Sequence, residues 1–155
     1  AVQELINYFA KVSDDTAIIF FGDHQPNVPA AFYDDLYGNT DAERSREQEQ
    51  TKLMTPFFIW ANYDIPSQNG VEISANYLSA LTLNVLGCST SGFDEMRLAT
   101  RESVPRISNY GYYLADGSWH DGETLSECGE LTGYREAQYA QIFDAKKRKT
   151  EWYLP

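Results

Sequence analysis

An α/β fold is what this sequence predicts, and three features predict it. Two short apolar runs, "AIIFF" at 17 to 21 and "PFFIWA" at 56 to 61, lack polar alternation and read as strands covered on both faces. Several segments before, between and after them carry apolar residues at helical spacing. Clusters of glycine, proline, asparagine and aspartate separate the two kinds of element, so helices and strands alternate along one chain.

The elements follow in order. Val2, Leu5, Ile6, Phe9 and Val12 repeat at helix spacing, and "SDDT" then supplies turn and capping residues before the first strand. "NVPAAFYDDLYGN" reads as a short helix with Phe32, Tyr33, Leu36 and Tyr37 turned inward and Gly38 as its stop. Residues 41 to 52, "DAERSREQEQTK", contain no large apolar side chain, so an exposed helix or a mobile connection suits them and a buried role does not. The second strand, within "TPFFIWANY", gives way to loop residues in "DIPSQNG". Ser74 is placed to cap a helix whose inward face is Tyr77, Leu78, Leu81, Val85 and Leu86, with Gly87 closing it.

A further helix is expected from Asp94 to Arg101, ending ahead of Pro105. "NYGYYLADGSWHDGE" has the pattern of a hairpin turning around "ADGS". The last helix is expected from Gly133 to Lys147, burying Tyr139, Ile142 and Phe143, with "KKRK" complementing the negative end of its dipole. No internal repeat is visible.

Composition limits the function. A chain of 155 residues, 43% hydrophobic and 14% aromatic, suits one domain with a real core and is too apolar for disorder. Twelve Lys and Arg against 23 Asp and Glu give a net charge of -11, which opposes binding to nucleic acid or to anionic lipid surfaces. No apolar run approaches the roughly 20 residues needed to span a bilayer. The opening on Ala1, already in helical periodicity, leads us to expect a piece of a longer protein. Cys88 and Cys128 have only each other as disulfide partners; free thiols are the preferred reading, and they form no close-spaced metal motif.

Chemistry concentrates where the first strand ends, in "FFGDHQP". Ligands of α/β sheets bind beyond the carboxyl ends of strands, and Asp23 and His24 stand there with Gly22 allowing a turn. One carboxylate oxygen and one imidazole nitrogen suit zinc or manganese better than calcium. The structural alternative has Asp23 capping the next turn and His24 as an ordinary polar residue. A histidine base oriented by its sequence neighbour is a poorer reading, because adjacent residues seldom have that geometry.

Other candidates are weaker. Tyr110, Tyr112, Tyr113 and Trp119 are dense enough to stack on the sugars of a cell-wall polymer, although hairpin packing explains them better. His120, beside Asp121 and Glu123, fits an exposed turn better than a metal site. Arg44 and Arg46 could meet a phosphate, but their polar surroundings suit a solvated helix face. Gln25 and Pro26 adjoin the site and receive no role.

Four segments, "FFGDHQP", "TPFFIWANYDI", "SANYLSALTLNVLG" and "YREAQYAQIFD", stand in the order and spacing that resemble the C-terminal part of the lipoteichoic acid synthase family. These are sulfatase-like phosphoglycerol transferases of the alkaline phosphatase superfamily. The resemblance runs from about Ala17 to Asp144. It implies a three-layer fold with a mixed sheet flanked by helices, of which residues 1 to 155 form the C-terminal portion as one domain. Residues 17 to 21 and 56 to 61 would be neighbouring core strands, and the helix from Ser74 to Leu86 would cover one face. Because the family's sheet is larger, an exposed apolar edge and self-association are expected.

The same resemblance assigns Asp23 and His24 to a divalent metal site, most often manganese, with zinc or magnesium possible. The metal would activate a threonine nucleophile for transfer of a phosphoglycerol group from a lipid to an acceptor hydroxyl. A sulfatase or phosphodiester hydrolase of the same superfamily is the alternative. The family's glutamate ligand and nucleophile lie upstream; Glu4 and Thr16 stand in no matching context, so neither inherits those roles. The chain is thus expected to be inactive alone and to need the upstream half of the catalytic domain as its partner. The whole protein would work at the extracellular face of a bacterial cytoplasmic membrane, held by upstream spans, while this segment is soluble.

Overall fold

The structure, a computed structural model, describes residues 1–144, 146 and 148–155. Its elements run α1 (Val2–Phe9), β1 (Ala17–Phe21), α2 (Ala30–Tyr37), α3 (Arg46–Thr51), β2 (Phe57–Ala61), α4 (Ala75–Val85), α5 (Gly92–Ser103), β3 (Arg106–Ile107), β4 (Gly111–Tyr113), β5 (Trp119–Asp121) and α6 (Thr132–Phe143). Short 3-10 turns occupy Gly122–Glu127, Gly129–Leu131 and Thr150–Tyr153. The α/β class holds. The described strands divide between two small antiparallel sheets, β1-β2 and β3-β4-β5.

β1 and β2 are neighbours, as expected, with Ile19 opposite Ile59 at the centre of the register. They are not a buried core. Phe20 and Phe21 at the end of β1 are exposed, Phe21 by 57%, and β2 is only half-buried. The apolar runs do mark strands, but no third strand or helix face closes over β1 among the described residues. An open apolar edge results. Asn62 ties this ribbon to the chain before it, accepting from the Thr16 N–H at 2.8 Å and donating to the Val12 and Asp14 carbonyls at 3.0 Å.

The core lies instead in the second half. Val104, Tyr112, Cys128 and Leu131 are buried together, with Ile107, Leu114 and Leu125 packed against them. α4 contributes fully buried Tyr77, whose ring meets Tyr134 of α6 at 6.2 Å. Ser74 sits at the N-cap of α4 without capping it; its hydroxyl donates to the Ile107 carbonyl at 3.1 Å and so fastens the helix to β3. α5 begins earlier than its apolar pattern indicated, at a capping box of Ser91 and Asp94.

Three helix faces differ from the sequence reading. In α1, Val2, Ile6 and Phe9 turn inward while Leu5 is exposed. In α2 the partly covered side is Tyr33 and Tyr37, stacked 6.5 Å apart, with Phe32 and Leu36 outside. α6 ends at Phe143 and leaves Tyr139, Ile142 and Phe143 exposed, because its inward side is Tyr134 and Ala137. Lys147, the expected end of that helix, lies outside the described residues. Arg148 donates to the Gln141 carbonyl at 2.5 Å, a contact with the free carbonyls of a helix end.

Residues 41 to 52 carry the short helix α3 and are largely exposed, as expected, but Arg44 and Gln50 within them are buried. The Arg44 side chain is fully enclosed, donating to Glu49 and Asp34 at 2.8 Å each and to Asp41. A guanidinium offers donors in a fork, so one buried cation can hold three carboxylates and join α2 to α3. Its pKa is raised, first through the Asp34 bond, against the lowering effect of burial. Gln50 is buried too and accepts from the Trp119 indole at 2.9 Å.

Candidate metal centre

The strand end is fixed from beneath. Gly22 donates to the Pro56 carbonyl at 3.0 Å, and Thr55 Oγ1 donates to the Gly22 carbonyl at 2.8 Å. A Cβ at residue 22 would meet Thr55 Cβ at 2.8 Å. Glycine is required here by close approach. Its backbone is outside the left-handed region, and the chain bends just after it, at residues 23 and 24. Beyond it, Gln25 donates to the Met54 carbonyl and anchors the segment after the pair. Sequence reasoning missed Thr55 and gave Gln25 no part, since neither stands in a pattern that betrays contact across the ribbon.

Asp23 and His24 emerge side by side at the surface, with side chains 81% and 77% exposed. The Asp23 carboxylate accepts from the His24 backbone N–H at 2.9 Å, and His24 Nδ1 meets the Gln25 carbonyl at 2.8 Å. A carbonyl only accepts, so Nδ1 carries the proton and neutral His24 presents its lone pair on Nε2. That nitrogen faces Asp23 Oδ2 at 3.4 Å. Two ligands each about 2.1 Å from one tetrahedral ion stand about 3.4 Å apart, so the separation is compatible with a shared cation as well as with a direct histidine–aspartate ion pair. The carbonyl on Nδ1 is the orienting contact that metal-binding imidazoles commonly have.

Only two candidate ligands converge. Among the described residues, no group of three or more His, Cys, Asp or Glu side chains is placed to hold an ion. A cavity of about 800 Å³ lies between the ribbon and the second half, with Ile59 and Trp60 on one side and Leu78, Leu81, Val85 and Ile107 on the other. It begins at Phe21 and Gly22, but neither Asp23 nor His24 lines it. α4 therefore faces β2 across an apolar gap.

The other candidates are engaged elsewhere. Tyr112 and Tyr113 are buried and Trp119 is half-buried with its N–H committed to Gln50, so packing within the fold engages three of the four aromatic residues, while Tyr110 is half-buried. His120 is on β5 and not in the turn; it stacks on Tyr112 at 5.1 Å and lies 3.1 Å from Ser118 Oγ. Arg46 bonds Glu123 at 3.1 Å and the Tyr110 and Asn109 carbonyls at 3.3 Å, with Asp121 also at 3.3 Å. Neither arginine is available to a phosphate. Cys88 is exposed and Cys128 buried, and both are free.

Comparison with known proteins adds one match. A family model described as Sulfatase matches residues 1–88, more than half of the chain, including β1, β2 and the Asp23–His24 pair. No curated protein and no solved structure matches.

Proposed function

The chain belongs to the sulfatase family, and from that premise we propose that it is the metal-ligating C-terminal part of a phosphoglycerol transferase acting in cell-envelope polymer synthesis. The observation that carries the metal reading is the Nε2 of His24 facing Asp23 Oδ2 at 3.4 Å on an exposed strand end. A bound divalent ion, manganese above zinc or magnesium, would supply Lewis-acid stabilisation of the charge on a transferring phosphoryl group. Asp23 contributes a hard anionic oxygen, and His24 a neutral nitrogen oriented by the Gln25 carbonyl. β1 and the Gly22–Thr55 contact hold both against movement.

The nucleophile and remaining ligands come, on this reading, from the upstream half of the catalytic domain. Phosphoglycerol transfer rather than sulfate ester hydrolysis rests on the four sequence segments resembling the lipoteichoic acid synthases. The complete enzyme then works at the extracellular face of a bacterial cytoplasmic membrane. No helix among the described residues is long and apolar enough to cross a membrane, so any anchor belongs to another segment.

Calorimetric titration of the chain with manganese chloride tests the metal reading. Weak binding is expected in the wild type, vanishing in Asp23→Ala and His24→Ala. Both variants should melt close to the wild type, since substitutions this exposed change stability by about 0.5 kcal/mol or less. Unaltered manganese binding in both variants would overturn the assignment. Assayed alone on a generic phosphodiester or sulfate ester, the chain should show no turnover above buffer.

A further inference from the structure

The helix α3, "REQEQT", has no apolar side chain to bury. At six residues it is far shorter than the roughly 12–15 that hold a helix together alone in water, so its place is set by contacts with the rest of the fold. Those contacts are polar. On one side Arg44 holds Glu49 at 2.8 Å. On the other side stands the hairpin. Arg46 bonds the Tyr110 and Asn109 carbonyls at 3.3 Å, Glu47 accepts from the Tyr113 hydroxyl at 2.8 Å, and Gln50 accepts from the Trp119 indole at 2.9 Å. Arg46 and Gln50 are one helical turn apart and share a face.

From α3 the bonds run on to His24. The Leu53 N–H donates to the Gln50 carbonyl at 3.0 Å and the Met54 N–H to the Thr51 carbonyl at 3.1 Å, so the turn presenting Met54 hangs on the end of α3. The Met54 carbonyl accepts from the Gln25 side chain, and the Gln25 carbonyl accepts from His24 Nδ1 at 2.8 Å. We propose that Trp119 and Tyr113 are positioning residues for His24. By fixing α3 they place the Met54 carbonyl, and through Gln25 they hold the imidazole with its proton on Nδ1 and Nε2 toward Asp23. The hairpin lies beyond residues 1–88, which the family model matches, yet it reaches the strand end by this route.

Burial makes the link stiff. Gln50 is buried, so removing the indole N–H leaves its amide oxygen without a partner, and α3 must shift for that oxygen to find water. A displaced Met54 carbonyl releases the Gln25 side chain. The Gln25 carbonyl then no longer fixes the ring, and an imidazole left to itself takes either tautomer. Gly22 is held separately by Pro56 and Thr55, which keeps β1 in place while the ring is released. The consequence for metal binding rests on the reading of Asp23 and His24 as ligands given above; the orientation of the ring does not.

Nitrogen–proton correlation spectra of the imidazole rings test this, recorded in mildly alkaline buffer where imidazole is neutral. They report the tautomer, and His24→Gln identifies the His24 signals. The wild type should show His24 with its proton on Nδ1. Tyr113→Phe and Trp119→Phe each keep an aromatic ring and lose one donor. Each should move the tautomer ratio about fivefold toward the Nε2–H form, the equivalent of one ordinary hydrogen bond. Gln50→Met breaks the Trp119 bond from the other side and should give the same shift, even where Trp119→Phe does not fold. Leu131→Ala weakens the main core, which α3 does not enter, and should keep the wild-type tautomer while circular dichroism shows it folded. Wild-type His24 spectra in the folded hairpin and Gln50 variants overturn the proposal, as does an equal shift in Leu131→Ala. Manganese chloride added to the wild type separates the two readings. Broadening of the His24 signals supports the ligand pair; their indifference overturns that pair, while the tautomer ratios still decide the positioning.

Discussion

Replacing Gly22 by alanine should damage the support of the Asp23–His24 pair, by an amount the geometry bounds in two ways. The added Cβ would stand 2.8 Å from Thr55 Cβ and 3.2 Å from Thr55 Cγ2. Overpacking of this kind costs about 1–3 kcal/mol. If the ribbon opens to relieve it, the Gly22 N–H to Pro56 and Thr55 hydroxyl to Gly22 bonds are lost, and two ordinary hydrogen bonds contribute about 2 kcal/mol together. Both routes lead to about 2 kcal/mol, which at this chain length lowers the melting temperature by about 4–8 °C. Thermal melts followed by circular dichroism measure it. Removing the opposing Cβ with Thr55→Gly should cancel the alanine effect in the double variant. A Gly22→Ala protein that melts with the wild type would refute the reasoning, as would an equal drop in the Thr55→Gly background.

Three other outcomes follow from the packing and the charges. Leu131 is only 1% exposed within the main core, so Leu131→Ala should cost about 2–5 kcal/mol by urea denaturation, against about 0.5 kcal/mol or less for exposed Phe143→Ala. Arg44→Lys keeps the charge but cannot reach Asp34, Asp41 and Glu49 at once; its denaturation midpoint should fall further than that of Arg135→Lys, which gives up one bond to the Ser126 carbonyl. Burial works to raise the Asp94 pKa, but bonds from the Ser91 hydroxyl and backbone and from Arg97 outweigh it and hold it below the ordinary value. A lowered carboxylate pKa stabilises the fold above the unfolded value, about 3.9, and that stability is lost as pH falls through the folded one. Asp94→Asn should therefore be less stable at neutral pH and lose less on acidification, read as a shallower acid limb in pH-dependent melts.

Local chemistry determined much of this protein. β1 and β2 were legible because β-branched and aromatic runs bounded by turn residues have few other conformations. The termination of α2 at Gly38 and the reversal at Gly117 were legible because both adopt positive φ, which glycine alone tolerates well. The neighbouring carboxylate and imidazole of Asp23 and His24 stood out as candidate ligands from their types and their place at a strand end. Tertiary structure decided which faces meet. The side of α6 that turns inward depends on where Tyr77 stands, and that position is set by α4 packing at residues far away in sequence. Arg44 was unreadable because a polar segment betrays burial only when Asp34, Asp41 and Glu49 converge from two helices and the loop between them. Gly22 and Thr55 are separated by the whole of α2 and α3, and only the antiparallel return of β2 brings them into contact. The tautomer of His24 was likewise beyond the sequence, since it is set by the direction of a single carbonyl, that of Gln25, once the chain has bent at the end of β1.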